Sequence, residues 1–323
     1  MQRDHYFRMR FFAAIVATTV LASAFLGGCS DSDRVKVALS KKSPLSQSEK
    51  QTAAAALNVA IASMISPNES FVHYRLLLEY LAAKVGMRIN LIQRKTYAEI
   101  NDLLGSGGID LAFICSGPYV SGKDRYHFEA LAVALVRQKA VYRALLITHQ
   151  ASAVNRLEDL KGRLFAFSDP DSNAGCIVPR FLLAEIGERP ETFFGKTIYT
   201  YSHDNSILAV SRSLVDGAFV HEHIWDFYTR KNPAIAAKIR SIYASEPFGN
   251  PPLVASASMP GSLKERMREL LFSMHNDPQG AEILGELLID RFIPPDEHLY
   301  DPIRHMLAKM RLLEDGHAAT SQP

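Results

Sequence analysis

Apolar and polar positions along the chain form short apolar runs separated by stretches with helical spacing. Eight runs have the length and bounding turn residues of strands: 57–63, 88–93, 109–116, 144–149, 164–168, 197–201, 217–221 and 253–257. Between the first two, apolar residues recur at positions 71, 74, 77, 78, 81 and 85, one face of a helix. Past Pro251-Pro252 the pattern turns helical over 263–274, 279–288 and 301–310. Strands alternating with helices predict an α/β architecture with mostly parallel strands.

The residues just past the strand ends narrow the picture. Ser66-Pro67-Asn68-Glu69 reads as a capping box with proline at the first helical position, and Thr96-Tyr97-Ala98-Glu99 as a second box. Ser116-Gly117-Pro118-Tyr119 reads as a tight turn rich in N–H groups. The segment from Asp169 to Gly175 runs from a strand into a helix, and Ser202-His203-Asp204-Asn205 does the same. Pro179 requires the helix after Gly175 to begin near Val178 or to kink. In open α/β sheets, ligands bind beyond the carboxyl ends of strands. Helix N-termini offer unpaired N–H groups and a positive dipole end to anions there. Each cap alone is ordinary helix chemistry. Five together point to a small-anion pocket.

The first 28 residues carry a different signal. Arg3, Arg8 and Arg10 precede an apolar run from Phe11 to Phe25. A bilayer-spanning helix needs about 20 apolar residues, so this run fits the core of a cleavable export signal. It ends at Leu26-Gly27-Gly28-Cys29, which resembles the lipobox of bacterial lipoproteins. The resemblance implies lipid on Cys29 and attachment to a membrane. Residues 29–56 are then a polar tether.

Charge excludes a class of partner. Residues 1–28 hold three of the 36 basic and one of the 34 acidic residues, so the mature chain has 33 of each. Nothing in that balance favours nucleic acid or an anionic membrane surface. Past Cys29 there remain Cys115 and Cys176, each beside an apolar run, and both read as buried thiols. His221-Glu222-His223 would put two imidazoles on one face of a strand, but zinc needs three or four ligands and no partner cluster is visible. No nucleophile elbow, zincin motif, P-loop or dinucleotide fingerprint occurs, so neither an enzyme nor a cofactor is expected.

Order and spacing of the motifs resemble a known family, the periplasmic phosphate/phosphite/phosphonate-binding proteins of ABC transporters. The resemblance runs from about Leu57 to Met310. It is carried by Met64-Ile65-Ser66-Pro67-Asn68-Glu69, the Thr96 box, the stretch from Asp110 to Tyr119, the stretch from Leu160 to Pro170 with Ser172 to Gly175, Ser202-His203-Asp204, and Val215-Asp216-Gly217. It implies a two-lobed fold, each lobe a mostly parallel sheet flanked by helices. One lobe is expected at 57–135 plus 250–323, the other at 140–245, with hinge segments near 136–142 and 246–252.

The resemblance also implies site residues. Ser172, Asn173 and Ala174 fall on the family's oxyanion-gripping turn, where Ala174 lacks a hydroxyl the family often has. His203 aligns with a histidine beside the oxyanion. Tyr97 and Tyr142 align with cleft tyrosines, and Ser116 and Tyr119 lie in the family's Gly-Pro turn. His221 stands where the family commonly has an acid. That replacement predicts a preference for ligands without an amine, and tighter binding toward pH 6 as the imidazole gains charge. A one-residue slip would bring Glu222 in instead. The expected role is capture of a small oxyanion for an ABC permease; a lipid-anchored sensor feeding a membrane signalling protein is the alternative.

Overall fold

A computed structural model describes residues 56–320. The export signal, Cys29 and the tether up to residue 55 lie outside the described residues. The chain runs through β1 (Ala56–Ile61), α1 (Pro67–Val85), β2 (Arg88–Ile92), α2 (Tyr97–Gly105), β3 (Leu111–Phe113), α3 (Ser116–Tyr126) and β4 (Glu129–Leu135). β5 (Val141–Tyr142) leads into a second series. It comprises β6 (Ala144–His149), β7 (Leu164–Phe167), a π-helical turn over Asn173–Ile177 with α4 (Val178–Glu185), β8 (Lys196–Tyr199), α5 (His203–Ser211), β9 (Gly217–His221), α6 (Glu222–Lys231) and β10 (Ile239–Ala244). The chain returns through β11 (Phe248–Gly249) to β12 (Pro252–Ala255), α7 (Gly261–Ser273), α8 (Pro278–Glu286), β13 (Arg291–Ile293) and α9 (Asp301–Thr320).

Two sheets result, ordered β13-β4-β12-β3-β1-β2 and β10-β6-β9-β7-β8. In the first, β1 to β4 share one direction, and β12 and β13 oppose them. In the second, only β6 opposes the rest. Each sheet is therefore mostly parallel in direction. The reversed strands are the ones the chain enters or re-enters after crossing between sheets, together with β13. Between the sheets, β5 and β11 pair antiparallel, Tyr142 opposite Phe248, forming a two-stranded hinge. Helices cover both faces, so all residues of β3 and of β9 are buried. The C-terminal α9 packs against α3 of the first lobe and also against α4 of the second.

Local chemistry explains most boundaries, and corrects some expectations. The Thr96 box forms: Thr96 N–H donates to Glu99 Oε2 at 2.9 Å, and Glu99 N–H donates to Thr96 Oγ1 at 3.4 Å. Pro67 opens the helix as expected, and Ser66 stands at the N-cap without a side-chain cap hydrogen bond. Ser116 to Tyr119 is no tight turn but the first turn of α3, with Cys115 at the N-cap. α4 begins at Val178, and the π-helical turn before it accommodates Pro179. His221 and His223 do not share a strand, because β9 ends at His221 and His223 lies in α6. Cys115 and Cys176 are free and buried. Five strands escape the periodicity: β4, β5, β10, β11 and β13. β5 and β11 are two residues long, too short for any period. β4 is alanine-rich, and its pairing between β12 and β13 overrides weak propensity.

The lobes meet backbone to backbone at Gly117. A Cβ there would lie 2.3 Å from the Asp171 carbonyl oxygen and 2.9 Å from the Asn173 nitrogen. Gly117→Ala is expected to keep both sheets, with unchanged far-UV circular dichroism, while holding the lobes apart. Small-angle scattering should show a larger radius of gyration, and ligand affinity should fall at least about tenfold. A variant that scatters and binds like wild type would sink this account of closure.

Candidate functional site

The ends of β3, β7, β8 and β9 all deliver polar residues to the junction between the lobes. Ser116 follows β3, the segment from Ser168 to Ala174 follows β7, His203 opens α5 after β8, and His221 ends β9. Tyr142 comes from the hinge and Tyr97 from the start of α2. All are buried.

Tyr142 joins three of these pieces. Its hydroxyl lies 2.6 Å from Ser116 Oγ, and Asn173 Nδ2 donates to it at 2.8 Å. Its ring stacks on His221, with centroids 3.7 Å apart and planes at 12°. Around this centre lie buried polar atoms without a hydrogen-bond partner: Tyr97 OH, Ser168 Oγ, Asn173 Oδ1, both ring nitrogens of His203, and His221 Nε2. Leaving such an atom unsatisfied typically costs about 1–3 kcal/mol. Their concentration at one place makes this a candidate binding site, where a ligand would supply the partners.

Protonation states follow from the surroundings. His221 Nδ1 accepts the His223 backbone N–H at 3.2 Å, so the proton of the neutral ring sits on Nε2, which becomes a donor. Burial holds His221 well below the ordinary histidine range, helped by His223 and His203 nearby. Burial alone pushes His203 down to about 3. Burial thus favours the neutral form of both rings, which runs against the expectation that His221 gains charge toward pH 6. Burial also pushes the Tyr97 phenol well above its usual range, with Ser172 opposing, and it stays a donor. Ser172 accepts the Gly175 N–H at 3.1 Å and keeps its own proton to give. Ala174 contributes no polar side chain, but it lies in the first turn after the Ser172 cap, where N–H groups lack intrahelical acceptors.

Two carboxylates of the second lobe reach helix N-termini of the first. Asp169 Oδ2 accepts the Tyr97 N–H at 3.1 Å, and Asp204 Oδ1 accepts the Ser66 N–H at 2.8 Å. Burial raises Asp169 to about 6, against the pull of its two backbone donors, Asp171 and Tyr97. A third tie runs from the His203 N–H to the Met64 carbonyl at 2.9 Å.

Of the residues singled out in the sequence, Tyr97, Ser116, Tyr142, Ser172, Asn173, Ala174, His203 and His221 come together. Tyr119 does not join them: its ring packs on Tyr300 with centroids 4.7 Å apart, and its hydroxyl donates to Glu297. Glu222 is also elsewhere, accepting the Arg143 N–H at 2.9 Å, so the strand end is not slipped. Sequence reasoning missed Ser168, Asp169 and Cys115. A serine and an aspartate ending the apolar run Leu164-Phe165-Ala166-Phe167 were the available signal for the first two. The Cys115 thiol is raised by burial, although N–H groups of Gly117 and Asn173 face it. A raised thiol is a poor nucleophile. Ser116 is bonded to a phenol rather than an imidazole. The arrangement suits binding by neutral donors.

Comparison with known proteins bears on the family and the fold. Residues 59–300 match a family described as the periplasmic substrate-binding protein of phosphonate ABC transporters. Over 256 residues the chain is 22% identical to the phosphonates-binding periplasmic protein of Escherichia coli (strain K12), covering 78% of this chain and 75% of that one. A binding protein component of an ABC phosphonate transporter from Pseudomonas aeruginosa superposes with a TM-score of 0.76 at 23% identity, over 81% of this chain and 88% of its own. PhnD1 of Prochlorococcus marinus, solved in complex with methylphosphonate, gives a TM-score of 0.70 at 16% identity, over 79% of this chain and 98% of its own. These structural likenesses establish a shared two-lobed fold. With the family match spanning most of its length, the chain belongs to the phosphonate-binding family of periplasmic substrate-binding proteins of ABC transporters.

Proposed function

We propose that this protein is the lipid-anchored substrate-binding component of an ABC importer, and that it captures a phosphonate, phosphite or phosphate between its lobes. The observation that carries the reading is the set of unpartnered neutral donors sealed at the lobe junction. Tyr97, Ser116, Ser172, His203 and His221 would each give a proton to the oxyanion, with Tyr142 and Asn173 holding Ser116 in place. Asn173 and Ala174 would add backbone N–H groups. Preorganised donors of this kind hold an anion without a full counter-charge. The lobes that close on it are taken as 57–135 with 250–323, and 140–245. The Escherichia coli and Prochlorococcus marinus relatives carry phosphonate in the name or in the bound state, which supports the ligand class. Anchoring rests on the lipobox at Cys29.

Cys29→Ala is expected to move the protein from the membrane fraction to the soluble exported fraction. Retention on membranes after a salt wash would refute the lipid anchor.

Tyr97→Phe is expected to act with opposite signs on stability and binding. It removes an unpartnered buried hydroxyl, so the ligand-free protein should melt at the same or a higher temperature. It also removes one hydrogen bond to a charged ligand, about 1.5–3 kcal/mol, so calorimetry should show roughly ten- to a hundredfold weaker oxyanion binding. Unchanged affinity would take Tyr97 out of the site; no binding of phosphate, phosphite or methylphosphonate to the wild-type protein would overturn the reading itself.

The two lowered histidines fix the pH behaviour. In the folded protein they are neutral, so their contribution to stability is present above pH 6.5 and fades as pH falls from there through the folded value, about 3 for His203. The histidines should therefore add no pH dependence to oxyanion affinity between pH 6 and pH 8 once the ligand's own second ionisation is corrected for, and Asp169, raised to about 6, is the group near the site that titrates there. Titrations at both ends of that range on wild type and Asp169→Asn check this, and a clear gain at pH 6 that persists in Asp169→Asn would show a histidine charging in the complex.

A further inference from the structure

Next to the donor cluster lies a cavity of about 110 Å³. Its walls are apolar, formed chiefly by Met64, Tyr74, Phe113, Ile224, Phe227 and Phe292. Two residues belong to both the cavity wall and the cluster. His221 lines the cavity and also stacks on Tyr142 at the centre of the cluster. Met64 lines the cavity, accepts the His203 N–H through its carbonyl, and packs in one buried group with Tyr97, Cys115 and Ile224. Whatever binds the donors has apolar space beside it.

The chemistry of the walls is one-sided. Among the described residues lining the cavity there is no acid. His223, which also lines it, is held below the ordinary histidine range by burial, as His221 is. The described acids next in sequence to lining residues are engaged elsewhere: Glu222 with the Arg143 N–H, Asp226 with Arg137 at 2.6 Å, Glu286 with Lys231 at 3.8 Å, and Asp290 with the Gln138 N–H at 2.6 Å. An ammonium entering this space would lose its water and meet no carboxylate among the described residues, whereas a methyl or methylene group would gain contacts with the apolar walls.

We propose that this cavity receives the organic substituent of an organophosphonate, and that the favoured substituent is a short uncharged alkyl chain. The proposal rests on the oxyanion reading of the donor cluster and adds which member of the class fits. Size sets the upper end: an apolar cavity of roughly 150 Å³ holds benzene, so this smaller one suits a chain of about three carbons. Phosphate and phosphite would fill the donor cluster and leave the apolar walls without contacts. Methylphosphonate would reach only their edge.

The test is calorimetric titration of the mature chain with phosphate, methylphosphonate, n-propylphosphonate and 2-aminoethylphosphonate. The last two are nearly the same shape and differ in charge. Burying a methylene is worth about fourfold in affinity, so n-propylphosphonate should bind roughly fifteenfold more tightly than methylphosphonate. 2-Aminoethylphosphonate should be at least about tenfold weaker than its propyl isostere. The ratio of methyl to propyl dissociation constants is then read in two variants. Ala134→Leu fills the cavity from its lining and should bring the ratio close to one. Phe227→Ala enlarges it and should move the optimum to longer chains. A ratio measured within one preparation is insensitive to partly unfolded protein. Binding of all four ligands with equal affinity, tightest binding of the amine, or wild-type ratios in both variants would each overturn the proposal while leaving the oxyanion reading intact. No binding of any of the four would remove both.

Discussion

The hydroxyl of Tyr142 is the point on which the arrangement turns. Tyr142 belongs to the hinge, its oxygen is 2.6 Å from a serine of the first lobe, and it accepts from an asparagine of the second at 2.8 Å. One buried phenol therefore senses all three moving parts of a hinged protein. Its ring adds the fourth element by stacking on His221, the last residue of β9. Opening the lobes would separate at least one of the two polar contacts and let water reach the phenol. The closed form thus carries a polar network completed only when hinge, Ser116 and Asn173 coincide. Partial satisfaction of such a network in a dry interior is costly, so closing is expected to be nearly all-or-none.

The electrostatic logic follows from burial. A cation at this depth would carry a large desolvation cost and would hold an anion too indiscriminately to tell one oxyanion from another. The chain uses donors that have lost their capacity to charge: His203 pushed down to about 3, His221 lower than its ordinary range, Tyr97 and Tyr142 pushed up. Each remains a hydrogen-bond donor through the neutral pH range. Such a site is sensitive to where a ligand's oxygens lie, because a misplaced oxygen leaves a buried donor unpaired. The His221 tautomer illustrates the precision available. A backbone N–H from the next turn consumes Nδ1, so the ring can present only a donor at Nε2.

Much of this was legible in the sequence, and the rest was hidden for identifiable reasons. The eight apolar runs all became strands to within a few residues: six are largely buried and are read directly from continuous apolarity, while β2 and β8 are half-exposed edge strands. β4 was illegible because alanine carries little strand signal, and β10 because it lies at a sheet edge with alternate residues exposed. Eight of the nine site residues came together because their motifs lie at strand ends, where the fold itself converges. Tyr119 failed for a tertiary reason: its ring packs on Tyr300 and its hydroxyl donates to Glu297, residues distant in sequence that no local pattern connects to it. The charge state of His221 was illegible because burial is set by residues distant in sequence.

The five polar strand ends also proved to be of two kinds, which no local pattern distinguishes. Those before α1 and α2 are occupied by the protein itself: Asp204 takes the Ser66 N–H and Asp169 takes the Tyr97 N–H, each carboxylate reaching across from the other lobe. Those at α3, at the Ser172 turn and at α5 face the junction where the unpartnered donors lie. This division solves a problem that two buried carboxylates beside an anion site would otherwise create. Negative charge near an oxyanion repels it, but a carboxylate aimed at a helix N-terminus has its charge spread into backbone N–H groups and the helix dipole. The cost shows where solvation is most reduced, in the rise of Asp169 to about 6. The α5 end is tied as well, through the His203 N–H on the Met64 carbonyl, so three of the five strand ends help hold the lobes together.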